Sequence, residues 1–227
     1  MDTADTPNDT RSRLIEVAER LFAERGVHAV SLREIATAAG QRNTSAVAYH
    51  FGTKRALVEA VYEYRMRPAS NRLLAHVADL DARGRGHDLR ALVEVMIRTT
   101  AENLEGERRP GWFLRFVANA MYVEDIAPFD LTANEWSSGQ AALHARIAEH
   151  LTDLPPRLRQ DRWDHFAGLL VHTLANRERR LQKDATAAEG AEHRLLIAQL
   201  VDSCTALLST PASPETLAAE SAPSGAR

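Results

Sequence analysis

The sequence predicts an all-α fold, a small N-terminal helical unit followed by a larger helical domain. Three observations predict it. Apolar residues recur at three- and four-residue spacing almost from Thr10 to Ser209, with no alternating strand pattern and no internal repeat. Helix start and stop signals punctuate that pattern, among them Ser31 three residues before Glu34, and the glycines Gly26 and Gly40. The 227 residues are 44% hydrophobic and 26% charged, values that suit a globular chain of one ordinary domain or a small domain joined to a larger one.

The elements follow in order. Residues 1–9 are polar and read as a disordered N-terminus. A first helix is expected from about Thr10 to Arg25, with Leu14, Ala18, Leu21 and Phe22 on one face and Gly26 as its stop. A second begins at Ser31, where the hydroxyl and the Glu34 carboxylate form a capping box; Leu32, Ile35, Ala36 and Ala39 are its buried stripe and Gly40 its end. A short third helix covers about Thr44 to Phe51, anchored by Val47 and Phe51. Thr53 caps a fourth, with Leu57, Val58 and Val61 inward. Pro68 is expected to break or kink the chain, since it removes an amide and crowds the preceding turn.

Further helices are expected over Asn71–Arg83, Asp88–Glu105, Gly111–Tyr122 and Glu135–Leu151, with "EDIAPFDL" as a loop. Two longer ones close the fold, about Pro156 to Asp184 and Ala188 to Leu208. Their apolar stripes are wide enough to serve both their own domain and a second subunit. The tail 210–227 is rich in Pro, Ser and Ala and reads as disordered.

Composition limits the function. The formal charge of −3 excludes a globally basic protein, so a nucleic-acid surface must be local. Residues 10–67 hold ten basic and six acidic side chains, so the positive charge gathers there while the rest of the chain is acidic. The lone Cys204 excludes an intramolecular disulfide and a multi-thiolate zinc site. The polar start carries no secretory pattern, and no apolar run is long enough to span a bilayer, so a cytoplasmic protein without membrane contact is expected. There is no G-x-S-x-G elbow, no Gly-rich phosphate loop and no H-E-x-x-H. The histidines are scattered, and the spacing of His144 and His150 puts them on different sides of a helix, so they are not expected to share a metal. No catalytic residue, metal or cofactor is expected.

Helix, glycine turn, short helix is the helix-turn-helix layout, whose second helix enters the DNA major groove. The polar groups at the turn and along the short helix then have a partner: Gln41, Arg42, Asn43, Thr44, Ser45 and Ala46 at its start, Tyr49 and His50 further along. Ser31 and Thr53 stand at helix starts, where free amides attract phosphate, with Lys54 and Arg55 adding charge and Arg33 a further candidate for the DNA.

These residues carry a resemblance. "LIEVAERLFAERGVHAVSLREIATAAG" followed by "AYHFGTKRALV" is similar to the N-terminal domain of the tetracycline-repressor family of transcriptional regulators, over about residues 12–62. The turn "GQRNTS" is slightly longer than the family's usual one, and Ala48 stands where most members have a tyrosine. The longer turn is expected to bring Arg42 or Asn43 toward the DNA. The resemblance implies residues 10–52 as the DNA-binding domain and residues 53–209 as a ligand-binding and dimerisation domain. It further implies a homodimer on double-stranded operator DNA, and a repressor released by a small-molecule effector. A ligand-independent regulator, an activator of the same fold and a helical adaptor without a DNA role are the alternatives.

The aromatics of the middle segment suggest an apolar pocket for a largely apolar or aromatic effector: Trp112, Phe113, Phe116 and Tyr122 on one helix, Trp163 and Phe166 on another. Met96, Met121 and His172 are weaker members. For the dimer interface the stripes of the last two helices nominate Leu170, Leu174 and Leu181, with Leu196, Leu200, Cys204 and Leu207.

Overall fold

A computed structural model of the chain describes residues 7–41, 43, 45–104, 111–121, 123, 134–183 and 190–221. Among them there are helices and no strand. The N-terminal unit is α1 (Pro7–Arg25), α2 (Leu32–Ala38) and α3 (Ala46–Phe51). Then come α4 (Lys54–Ala82), α5 (Leu89–Ala101) with a short 3-10 turn behind it, and α6 (Phe113–Ala120). A second 3-10 turn leads into α7 (Ser138–Glu149), followed by α8 (Pro156–Leu181), α9 (Ala191–Ser209) and α10 (Pro214–Ser221).

Local chemistry sets these boundaries. The Ser31 hydroxyl accepts from the Glu34 amide at 3.2 Å, and Glu34 Oε2 accepts from the Ser31 amide at 2.8 Å, which completes the capping box of α2. At the other end Gln41 N donates to Ala36 O and Gly40 N to Thr37 O, each at 3.0 Å. That is a Schellman closure, and it needs the left-handed φ of 74° that Gly40 adopts without a Cβ clash. Thr53 caps α4 through the Ala56 amide, and Asp88 caps α5 through the Ala91 amide.

Pro68 does not break the chain: α4 runs through it from Lys54 to Ala82. Pro68 is exposed, so its missing amide lies on the solvent side, while Leu57, Val61, Leu73, Val77 and Leu80 bury the opposite side. The helix expected over Asn71–Arg83 is the second half of α4. Two terminal expectations also differ. The first helix starts at Pro7, where residues up to 9 read as disordered, and a proline suits a first helical turn. Within the tail read as disordered, Pro214–Ser221 is helical, with the Ser213 hydroxyl accepting the Thr216 amide at 3.2 Å and Glu215 in the first turn. No residue of α10 is buried. The "EDIAPFDL" segment lies outside the described residues.

The core divides in two. One cluster gathers α5, α7, α8, α9 and the later half of α4. The other joins α1, α2, α3 and the first half of α4 to α6, through Phe113, Phe116, Val117 and Ala120. Hence α6, remote in sequence, completes the N-terminal core. Its Phe116 ring lies 6.1 Å from Phe22 of α1 and 4.9 Å from Tyr62 of α4, centroid to centroid. The Glu19 carboxylate of α1 holds Arg65 of α4 bidentately at 2.6 and 2.8 Å.

Candidate functional site

The outward surface of α2 and α3 is the first candidate site. Val47 is fully buried and fixes α3 on the core, which leaves Tyr49 86% exposed. His50 is half-buried beside it, the two rings meeting edge-on at 5.2 Å. Arg33, Ser45 and Thr53 are exposed, and Gln41 and Ala46 are half-buried. Arg42 and Thr44 lie outside the described residues.

Two of the nominated side chains are occupied by the fold itself. Asn43 Oδ1 accepts the Ser45 amide at 2.9 Å, and its carbonyl accepts the Ala46 amide at 3.1 Å, so Asn43 starts α3 as an Asx turn. Lys54 Nζ donates to the carbonyls of Val27 at 3.1 Å and His28 at 3.4 Å, which pins the α1–α2 loop to the start of α4. Both residue types suit DNA, and neither a local turn bond nor a contact between residues so far apart is written in the residue type. The Ser31 hydroxyl is likewise engaged with Glu34, which leaves backbone amides at that helix start. Glu34 is held well below the ordinary carboxyl value, at about 2, by the Ser31 backbone and hydroxyl hydrogen bonds and by Arg25 at 2.8 Å. It is therefore an anion throughout the neutral range.

The second candidate site is a cavity of about 180 Å³ lined by residues of α4, α5, α6, α7 and α8. Met96, Phe113, Met121 and Trp163 line it as nominated. Phe116 and Phe166 do not: Phe116 fills the N-terminal core, and Phe166 is buried behind Trp163 at 5.1 Å. Trp112 lies under the Arg115 guanidinium at 5.0 Å, outside the cavity, and His172 is on the exposed side of α8. Tyr122 lies outside the described residues. Sequence reasoning missed the contribution of α4, which supplies Tyr62, Arg65, Met66, Ala69 and Leu73. It also missed Thr99, Gln140 and His144. A continuous helical period through Pro68 was the available signal for the first group.

The nominated dimer residues are mostly spent on the chain's own core. Leu170, Leu174, Leu181, Leu200 and Cys204 are buried, Leu170 as part of the cavity wall, and Leu196 and Leu207 are half-buried. Burial also pushes the Cys204 thiol up to about 12, so it stays protonated. The exposed apolar groups of α8 and α9 are instead Leu169, at 36%, and Leu195, at 58%.

The two sites are joined through α6. Asn119 Nδ2 donates to the Phe22 and Ala23 carbonyls at the end of α1, both at 3.0 Å. One face of the same helix lines the cavity through Phe113, Leu114 and Val117.

Residues 14–61 match the family model described as bacterial regulatory proteins, tetR family. Over 148 residues the chain is 29% identical to the HTH-type transcriptional repressor KstR2 of Rhodococcus jostii (strain RHA1), covering 65% of this chain and 64% of that protein. Over 107 residues it is 32% identical to the HTH-type transcriptional regulator AcrR of Shigella flexneri, 47% of each chain. Over 61 residues it is 39% identical to the HTH-type transcriptional regulator TtgR of Pseudomonas putida, covering 27% of this chain and 29% of that one. Each match spans less than two thirds of the relative's length.

Proposed function

We propose that this chain, whose residues 14–61 match the tetR family of bacterial regulatory proteins, is a sequence-specific DNA-binding repressor of that family, released from its operator by a small molecule. The observation that carries this reading is the exposed α3. A six-residue helix anchored by one buried valine and presenting Tyr49 to solvent has little packing purpose of its own. As a probe of the major groove it has one. Tyr49 and Arg33 are the side chains assigned to the DNA, with His50 and the amide ends at Ser31 and Thr53 toward phosphate.

The protein acts as a homodimer, its two α3 helices about one DNA turn apart, roughly 34–36 Å. The outer sides of α8 and α9, with Leu169 and Leu195, form the subunit contact. An effector in the cavity presses on α4 and α6. Since α6 is bonded to the end of α1, a cavity that is better filled in another arrangement of these helices shifts the two α3 helices away from the operator spacing. Release then follows from the effector's differential affinity for the two arrangements.

The test is a titration of purified protein against duplexes from beside its own gene at several salt concentrations. Specific retention that weakens steeply with salt supports the reading. Equal affinity for these duplexes and for unrelated DNA refutes it.

A further inference from the structure

The cavity is not uniformly apolar. Three of the residues that line it each carry a buried polar atom with no hydrogen-bond partner among the described residues: the Tyr62 hydroxyl, the Thr99 hydroxyl and Gln140 Oε1. They come from three different helices, α4, α5 and α7. Tyr62 is 1% exposed and Thr99 2%. Buried polar groups are almost always paired, and three orphans on one small wall are far from the usual pattern. The rest of that wall is hydrocarbon and aromatic, with Met66, Met96, Met121, Phe113, Leu170 and Trp163.

Their chemistry defines a complement. Gln140 donates from Nε2 to the Met66 carbonyl at 3.5 Å, which orients the amide and leaves Oε1 as an acceptor. An acceptor on the protein asks for a donor on the ligand. Each of the two hydroxyls both donates and accepts, so an oxygen on the ligand satisfies either. By donor and acceptor count, a hydroxyl on the ligand answers these demands, donating to Gln140 and accepting from a protein hydroxyl.

Charge narrows the class further. Among the described residues of the wall the one permanent cation, Arg65, is already held by both oxygens of Glu19. His144 lies 4.0 Å from the Trp163 ring, centroid to centroid, and burial lowers its pKa from the ordinary histidine value, so it is neutral at pH 7. A carboxylate or phosphate entering this space meets no uncompensated positive charge and loses its hydration. Size sets the last limit: a dry cavity of about 150 Å³ takes a single benzene ring, and this one is of the same order.

We propose that the cavity selects an uncharged, compact, mostly hydrocarbon alcohol or phenol of one to two rings, anchored through its hydroxyl by Tyr62, Thr99 and Gln140. This rests on the reading of the cavity as the effector site, and it adds what that site selects for.

The experiment uses the full-length protein and three probes of one shape: 2-naphthol, naphthalene and 2-naphthoate, with binding read by calorimetry in the absence of DNA. The expected result is that 2-naphthol binds at least about tenfold more tightly than naphthalene, since a site built to bond a hydroxyl discriminates against its absence, and that 2-naphthoate binds more weakly than both. In the double variant Tyr62→Phe, Thr99→Val the naphthol preference falls to about threefold or less, while naphthalene binding is kept. Both changes remove unpartnered hydroxyls from buried positions, so the variant is expected to unfold no more easily than the parent chain. Equal binding of naphthol and naphthalene, or tighter binding of naphthoate, overturns the selectivity and leaves an effector cavity standing. If none of the three binds, the cavity is not an effector site for molecules of this size, and the proposal falls with that reading. A preference unchanged in the double variant removes the two hydroxyls from the site.

Discussion

Glu178 of α8 accepts the backbone amide of Arg115 at 2.9 Å, and so fastens the long helix to the first turn of α6. Its other oxygen takes the Leu114 amide at 3.2 Å. A carboxylate suits the amides that open a helix. This one nevertheless sits 1% exposed, with Glu19 nearby to repel it.

Burial first, and Glu19 second, raise the Glu178 carboxyl from 4.5 to about 7 against the pull of the two amides and Arg115. The folded chain therefore keeps a proton that the unfolded chain has released between those values. This contribution to stability is fully present below about pH 4.5 and is lost as pH rises toward 7. The loss amounts to roughly 3 kcal/mol at most. Urea midpoints measured from pH 5 to 8 are expected to fall with pH, and to fall much less in Glu178→Gln. An identical slope in the variant removes Glu178 as the cause.

Asn119 gives a test of coupling that leaves both sites intact. It lines neither the cavity nor the DNA surface, and its amide holds the last carbonyls of α1. In Asn119→Ala, operator affinity without effector is expected to stay within about threefold of the parent, because the side chain touches neither site, whereas such residues change the coupling between sites by about 0.5–2 kcal/mol. The effector's ability to release DNA is expected to drop by a larger factor. Calorimetry with the probe and gel-shift titration with and without it separate the two. Full release in the variant means that α6 does not carry the signal by this bond.

Much of this fold was legible in the residues. The capping box at Ser31, the closure at Gly40 and the cap at Thr53 each depend on side chains within a few positions, and the helices around them fall where those signals put them. What was not legible depends on distant partners. Nothing in the local pattern tells that α6 completes the N-terminal core, or that Lys54 is drawn to the Val27 carbonyl. Pro68 misled for a physical reason: its cost is set by whether it faces solvent, and only the packed helix decides that. With α4 read as ending there, Met66 and Ala69, on either side of the proline, could not be placed on one cavity wall. The aromatic count pointed to two helices that do line the cavity, but Phe116 and Phe166 turn inward to the core, since period alone does not say which neighbour a helix face meets.

The recognition role proposed for Tyr49 can be tested apart from folding. Its side chain is 86% exposed and its ring meets that of its chain neighbour His50, so its removal costs the fold little. Tyr49→Ala is expected to leave the melting temperature within about 2 °C, the effect of a surface change of about 0.5 kcal/mol or less. Operator affinity is expected to fall about tenfold or more, as for loss of a base contact, with non-specific binding unchanged. Parallel melting curves and fluorescence titrations on operator and random duplexes check this. Equal affinity for operator in the variant places recognition on other side chains.

Leu195 and Leu200 lie on opposite sides of α9 and make opposite predictions. Leu200 is buried in the chain's own core, so Leu200→Ala opens a cavity and costs about 2–5 kcal/mol of stability. Leu195 is exposed along with Ala198 and Ala206 of the same helix, a side with small residues that another helix can approach closely. In Leu195→Glu a buried, unpaired charge would stand at the proposed subunit contact, which two chains avoid by separating. Light scattering after size exclusion is expected to give a monomer for Leu195→Glu at concentrations where the parent chain is a dimer. Operator binding is expected to be lost with it, because a monomer reaches one half-site only. The stability of the isolated subunit is expected to be unchanged, since Leu195 has no place in its core. A Leu195→Glu protein that remains dimeric and bound to operator moves the subunit contact off this side of α9.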